Sequence, residues 1–386
     1  MEELGIYVHF PFCVKKCAYC DFLSGPAGAG TIRRYVQALQ EEMALLAAQY
    51  GRLSVSSIFF GGGTPSILPA EWTVEVLEAL EQFFQVQEDA EITIECNPGT
   101  VDKEKLKQYR QAGINRISFG LQSVHDRELQ LLGRIHSMEQ FVKCYKDARA
   151  AGFSNINIDL MSGLPGQSME DWKETLKQVT DLQPPPEHIS AYSLIIEPGT
   201  PFYGQYADHE ELLPDEETER EMYEWTAQFL KEKGYHRYEI SNYAKNGYES
   251  RHNNYYWTGV DYLGLGIGAA SCMRGVRRKN TENLQFYIQN LELTGTTLSD
   301  IQIEEHVLSE TEQQEEYLFL GLRRMEGIST TAFAARFHVS YDTVYGQVTS
   351  RLLELGLLQQ QGEWISLTDR GIDVSNVVLA EFLQEE

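Results

Sequence analysis

Tyr7-Val8-His9-Phe10-Pro11-Phe12-Cys13-Val14-Lys15-Lys16-Cys17-Ala18-Tyr19-Cys20-Asp21-Phe22 begins as a short strand and ends in three cysteines within eight residues. Cysteines at i, i+4 and i+7 on one loop bring three thiolates into a small volume. Zinc commonly takes four ligands from paired Cys-x-x-Cys elements, and no second pair is present; His9 is the one fourth ligand at hand. The bacterial ferredoxin run, with its fourth cysteine before proline, does not match either. Three thiolates on a four-iron cluster leave one iron without a protein ligand, free to chelate a small molecule. Cys96, Cys144 and Cys272 stand alone and read as small core residues. Six cysteines in 386 residues are too few for a disulfide scaffold.

Outward from that loop, strand-like and helix-like segments alternate. Strands are expected at residues 5–10, 55–61, 91–96, 116–122, 155–161 and 188–194, with helices at 32–50, 70–84, 103–112, 138–151 and 169–182. Such alternation with right-handed crossovers gives an α/β fold with a parallel sheet under helices, here a six-unit barrel or open part-barrel. Gly61-Gly62-Gly63-Thr64-Pro65, Glu95-Cys96-Asn97-Pro98, Gln122-Ser123 and Asp159 fall at strand ends. Ligand sites of these folds lie at the carboxyl ends of strands, so these residues are expected at one mouth.

The net charge is −25, from 32 Lys and Arg against 57 Asp and Glu. That balance argues against a general nucleic-acid binder, which needs cations to neutralise phosphates. No apolar run is long enough to span a bilayer, and the acidic start is no secretory signal, so a cytoplasmic chain is expected. The organisation reads as a barrel over 1–207, an extension and linker over 208–325, and a small domain over 326–386. Residues 208–224 carry nine acids and one Arg, the pattern of a solvated helix face with a linker. Residues 235–262 hold seven of the 21 tyrosines, either an inter-domain core or a platform for a flat aromatic ligand. Residues 330–337 and 343–355 read as helices, 357–360 and 364–367 as strands, and 369–383 as a last helix: a winged-helix-like unit. Its net charge of −6 favours packing or docking over nucleic acid.

Cys-x-x-x-Cys-x-Tyr-Cys after a first strand resembles the radical S-adenosylmethionine superfamily. The surrounding motifs resemble the branch holding oxygen-independent coproporphyrinogen III oxidase and the haem chaperone HemW, over nearly the whole chain. The resemblance implies a (β/α)6 part-barrel with a C-terminal helical, winged-helix-like domain. It implies a [4Fe–4S] cluster on Cys13, Cys17 and Cys20, whose open iron binds S-adenosyl-L-methionine; an electron from the cluster can then break its sulfonium bond, giving a 5′-deoxyadenosyl radical. Carried over residue by residue, Tyr7 and Tyr19 lie against cluster and cofactor, while Gly62, Gly63 and Thr64 line the methionyl group. Glu95 matches a cofactor-binding carboxylate. Gln122 and Arg134 match contacts to a second cofactor of the oxidase, and Asp159 a further such contact.

Three features separate the two relatives. The oxidase has a fourth cysteine two residues past the third, where this chain has Phe22. The oxidase also has a longer N-terminal extension; here six residues precede Tyr7. Third, Arg251-His252-Asn253-Asn254-Tyr255-Tyr256-Trp257 contains His-Asn-x-x-Tyr-Trp, a hallmark resembling the chaperone. Imidazole suits haem iron and the neighbouring aromatics suit a porphyrin face, so His252 is the expected axial ligand. Residues 235–280 hold seven Lys and Arg against three acids, a basic island for haem propionates. The expected function is haem binding and delivery to respiratory haemoproteins from a haem donor protein. Any membrane association would be peripheral and through a partner, and a homodimer is left open. The rival is an oxidative decarboxylase of coproporphyrinogen III; a radical enzyme with another substrate is a third reading.

Overall fold

The computed structural model describes residues 3–384. Strands β1 (Gly5–Phe10), β2 (Ser54–Gly62), β3 (Gln85–Cys96), β4 (Arg116–Gln122), β5 (Ile156–Ser162) and β6 (His188–Ser193) are parallel neighbours in sequence order. Sequential parallel order with helical crossovers makes an open part-barrel, not a doubly wound sheet. β7 (His236–Arg237) and β8 (Asn242–Ala244) extend it antiparallel beyond β6. On the other side β9 (Tyr262–Leu265) pairs parallel with β1, and β10 (Ala270–Met273), β11 (Val276–Asn280) and β12 (Gln302–Val307) continue antiparallel.

The strand alternation explains the site. In β4, Ile117, Phe119 and Leu121 belong to the apolar core, whereas Arg116 and Ser118 line a cavity inside the part-barrel. In β5, Ile156, Ile158 and Leu160 alternate in the same way with Asn157 and Asp159. Parallel strands covered on both faces are usually continuously apolar; these alternate because one face lines a polar lumen. The outer face is covered by helices whose starts are fixed by side chains. Ser137 with Gln140 and Ser168 with Asp171 form capping boxes for Met138–Ala150 and Met169–Thr180.

A second core, separate from that of the barrel, lies in the C-terminal unit. There the helices Thr330–Phe337 and Tyr341–Glu354 pack on a three-stranded sheet of β13 (Ile328–Ser329), β15 (Trp364–Leu367) and β14 (Leu358–Gln361). Two differences from the sequence expectation go beyond a shift of a few residues in an element's end. β3 begins at Gln85, because Ser54 and Val55 pair with Gln85 and Val86 ahead of a bulge. The final helix is broken at Val374 into Asp369–Asp373 and Ser375–Ala380. Ile372 and Val378 are six residues apart and would face different ways on one straight helix. The break buries both in one core.

Candidate functional site

The cysteine loop is anchored at its root and at its tip. Cys13 N–H donates to the Gly25 carbonyl and Gly25 N–H to that of Pro11, each at 3.0 Å. Ala18 donates to the Leu132 carbonyl at 3.0 Å and accepts from Phe202 N–H at 2.9 Å. The three thiols are half-buried and line one cavity of about 380 Å³ at the strand ends. Tyr19, Gly62, Gly63, Thr64, Glu95, Gln122, Arg134 and Asp159 line the same cavity. The structure therefore gathers eleven of the residues singled out in the sequence at one mouth. Tyr7 and His252 lie deeper, on the lumen wall behind it.

Hydrogen bonds tie the mouth together. Arg134 Nη1 lies 3.7 Å from Cys17 Sγ, and its Nη2 donates to the Gly120 carbonyl and Asn97 Oδ1. Asn97 Nδ2 donates to Thr64 Oγ1 at 2.8 Å, and that hydroxyl lies 3.5 Å from Cys13 Sγ. A guanidinium and a hydroxyl thus face two of the three sulfurs. Gln122 has a left-handed φ of 72° at a register shift against β5, and its Oε1 accepts from Tyr192 at 3.2 Å.

Two buried carboxyls share the space. Glu95 accepts from Gly62 N–H at 3.2 Å, and its pKa is pushed up to about 8, first by burial and then by Asp159. Asp159 accepts from Ser118 at 2.9 Å and Asn157 at 2.7 Å; burial raises its pKa in spite of those bonds. Burial likewise raises the Cys20 thiol and the Tyr19 phenol.

The glycines have a reason that the sequence did not disclose. At Gly62, with φ of 105°, a Cβ would fall 2.4 Å from the His9 ring; at Gly63 it would fall 2.7 Å from the Phe12 carbonyl oxygen. Their first role is to let β2 close against the root of the cysteine loop. Sequence reasoning also passed over Arg116, 2% exposed in the lumen, and Tyr192. For Arg116 the signal was there, since it sits at two-residue steps from Gln122 along β4; Tyr192 lies on β6, where the sequence offered no such marker.

His252 is held on every side. It is 2% exposed, with Nδ1 2.9 Å from Ser57 Oγ and Nε2 3.0 Å from Tyr256 Oη. Its backbone N–H donates to Glu91 at 3.1 Å, and its ring stacks on Phe59 at 5.2 Å. Burial lowers its pKa to about 3, so the ring is neutral, and both nitrogens are engaged. Ligation would require breaking one of those bonds. The basic island is dispersed as well. Arg251, Arg277, Arg278 and Lys279 pair with Asp89, Glu316, Glu305 and Glu282. Most of the tyrosines are structural: Tyr235 and Tyr243 are core residues, and Tyr255 bonds Ser56.

Known proteins resemble this chain in sequence and fold. The radical SAM superfamily model matches residues 7–179, and the HemN C-terminal domain model residues 308–374. The heme chaperone HemW of Bacillus subtilis is 37% identical, over 98% of this chain and 99% of its own. That of Escherichia coli is 34% identical, over 100% and 99%. The mitochondrial radical S-adenosyl methionine domain-containing protein 1 of Danio rerio is 32% identical, over 97% and 84%. Among solved structures, the coproporphyrinogen III oxidase HemN of Escherichia coli superimposes with a TM-score of 0.85 at 25% identity, covering 99% of this chain and 90% of that one.

Proposed function

The chain belongs to the HemW family within the radical SAM superfamily, and from that premise we propose that it binds haem and delivers it to haemoproteins. It does so with a [4Fe–4S] cluster on Cys13, Cys17 and Cys20 and S-adenosylmethionine at the barrel mouth. The observation that carries the cluster reading is the donor set: three thiols on one doubly anchored loop facing one cavity, with Arg134 and Thr64 beside two sulfurs. A guanidinium beside one sulfur and a hydroxyl beside another suit an anionic, thiolate-rich cluster.

When bound, the cluster supplies an open iron for the amino and carboxylate groups of the cofactor. The chain's own residues do the rest. Tyr19 shields the site, and Gly62 N–H orients Glu95 across it. With a pKa of about 8, Glu95 is mostly protonated at neutral pH and can donate a hydrogen bond, while the bonds from Ser118 and Asn157 hold Asp159 in place. Gln122 and Tyr192 close the far wall. The recipients are respiratory haemoproteins, loaded from a haem donor protein. Among the described residues no helix is long and apolar enough to cross a membrane. The carrier is cytoplasmic and reaches membranes through a partner.

Protein purified and reconstituted without oxygen should hold about four irons and four sulfides, bind haem, and transfer it to an apo-haemoprotein. It should convert no coproporphyrinogen III to protoporphyrinogen. The fold shared with the oxidase supports the decarboxylase reading, and turnover in that assay would establish it in place of delivery. Failure to bind haem would end the chaperone reading.

A further inference from the structure

Besides the mouth and lumen, the molecule has a cleft of about 320 Å³ between the barrel extension and the C-terminal unit. That volume falls at the lower end of the range for small-molecule sites, about 300–1,000 Å³. One wall is the end of the motif helix Arg251–Thr258, with Tyr256 and Trp257; Tyr262 and Cys272 come from β9 and β10. The remaining walls are the helix Glu310–Gly321 and the winged-helix-like unit.

Charge distinguishes this cleft from the lumen. The lumen presents one arginine, Arg116, to the two carboxyls Glu95 and Asp159. The cleft presents Arg277, Arg324 and Arg336 against Asp261 and Glu316. Arg277 and Arg324 have carboxylate partners, whereas Arg336 lies beside Phe337 and reaches towards Gly259, the cap of the motif helix. The Trp257 indole N–H is buried without a hydrogen-bond partner, while Arg323 stacks over its ring at 4.9 Å. An aromatic wall, one unpartnered indole N–H and the guanidinium of Arg336 suit a flat, apolar ligand that carries anionic groups. The cleft also holds a thiol: Cys272 is half-buried opposite Arg277 in the β10–β11 hairpin.

We propose that this cleft is the haem site, with the porphyrin against Tyr256, Trp257 and Tyr262, a propionate on Arg336, and the iron bound by Cys272. This rests on the haem-carrier reading and places its cargo away from His252. Ligation exchanges the S–H bond of Cys272 for a sulfur–iron(III) bond and releases the proton to solvent; nothing is oxidised or reduced. Tyr256 also lines the lumen beside Tyr7 and Glu95, so one side chain separates cargo from the proposed cofactor site.

Ferric haem titrated into the full chain tests the placement. Ala332 and Arg336 are exposed on the helix Thr330–Phe337, so substitutions there spare the cores. Ala332→Trp should fill the cleft and weaken binding at least about tenfold, and Arg336→Glu should do about the same through charge. Lys107→Glu, an exposed site on the barrel with the same change in net charge, should bind like wild type. Cys272→Ser should shift the Soret band. If wild type binds haem one to one and both cleft variants match it, the cleft is not the site, although the carrier reading stands. If those variants weaken binding but Cys272→Ser leaves the spectrum unchanged, the iron ligand is not Cys272. If wild type binds no haem, the carrier reading fails and takes the cleft with it.

Discussion

The mouth and the cleft are similar in size, at about 380 and 320 Å³, yet they are built in opposite ways. The mouth is assembled from the ends of neighbouring strands in one continuous sheet, with Arg134, Asn97 and Thr64 linking three of its segments. Its shape cannot change without disturbing backbone ladders. The cleft lies between two separate cores; the backbone links between barrel and C-terminal unit include Met325 N–H to the Tyr238 carbonyl at 3.0 Å and a bridge between Glu239 and Arg324. A cofactor site gains from rigidity, because its reacting atoms must be held in place. A cargo site must also release its occupant, and a seam between two cores can open at lower cost than a sheet.

The largest expected effect isolates the mouth. Replacing Cys13, Cys17 and Cys20 together by Ala should abolish cluster binding, read as loss of bound iron and sulfide after reconstitution. Haem affinity should stay within about twofold, because no cluster cysteine lines the cleft. Loss of haem in that variant would show that the two sites are not independent.

The converse variant isolates the cleft. Gly327 has φ of 78°, and a Cβ there would lie 1.9 Å from the Ile365 carbonyl oxygen. Gly327→Ala should destabilise the C-terminal unit by about 3–4 kcal/mol, since backbone must move. Hydrogen exchange should quicken across β13–β15 while β1–β6 stay protected. Haem affinity should fall with the cluster intact.

The same contrast explains what the sequence made legible. Strands β1 and β4 match their expected bounds, because turn signals frame each and apolar residues alternate along them. The mouth followed, since a (β/α) repeat sends every strand end to the same side. The cleft has no such rule. Its walls come from segments far apart in sequence, and neither Cys272 nor Arg336 lies in a motif. The setting of His252 was hidden for a related reason. A His next to Tyr and Trp has the composition of a haem ligand, but its partners Ser57 and Glu91 come from strands about 160 to 195 residues earlier. The local pattern cannot reveal them.

Glu42 sharpens the comparison at the seam between barrel and extension. On the helix Ala29–Tyr50, it accepts from Gly266 N–H, Asn280 and Tyr287, all in the extension. Burial raises its pKa to about 7, and those three bonds oppose the rise. The native state therefore takes up a proton that the unfolded chain, titrating near 4.5, has already lost. This contribution is complete below about pH 4.5 and falls by about 3 kcal/mol as pH rises to 7. Glu42→Gln should flatten that part of the urea-midpoint profile between pH 4.5 and 8. An unchanged slope would mean that Glu42 does not titrate there.

The smallest effect decides between His252 and Cys272. In neutral His252 one ring nitrogen donates and the other accepts, so the hydroxyls of Ser57 and Tyr256 must take complementary roles. Ser57→Ala removes one partner and leaves Nδ1 buried without another, at a cost of about 1 kcal/mol. If His252 serves to position Tyr256, the bond at Nε2 persists and Tyr256 keeps its place on both cavities, so haem affinity and the Soret band should remain as in wild type. If His252 ligates iron, freeing Nδ1 removes the bond that ligation must break. The same 1 kcal/mol would then appear as haem binding about fivefold tighter, with an altered Soret band.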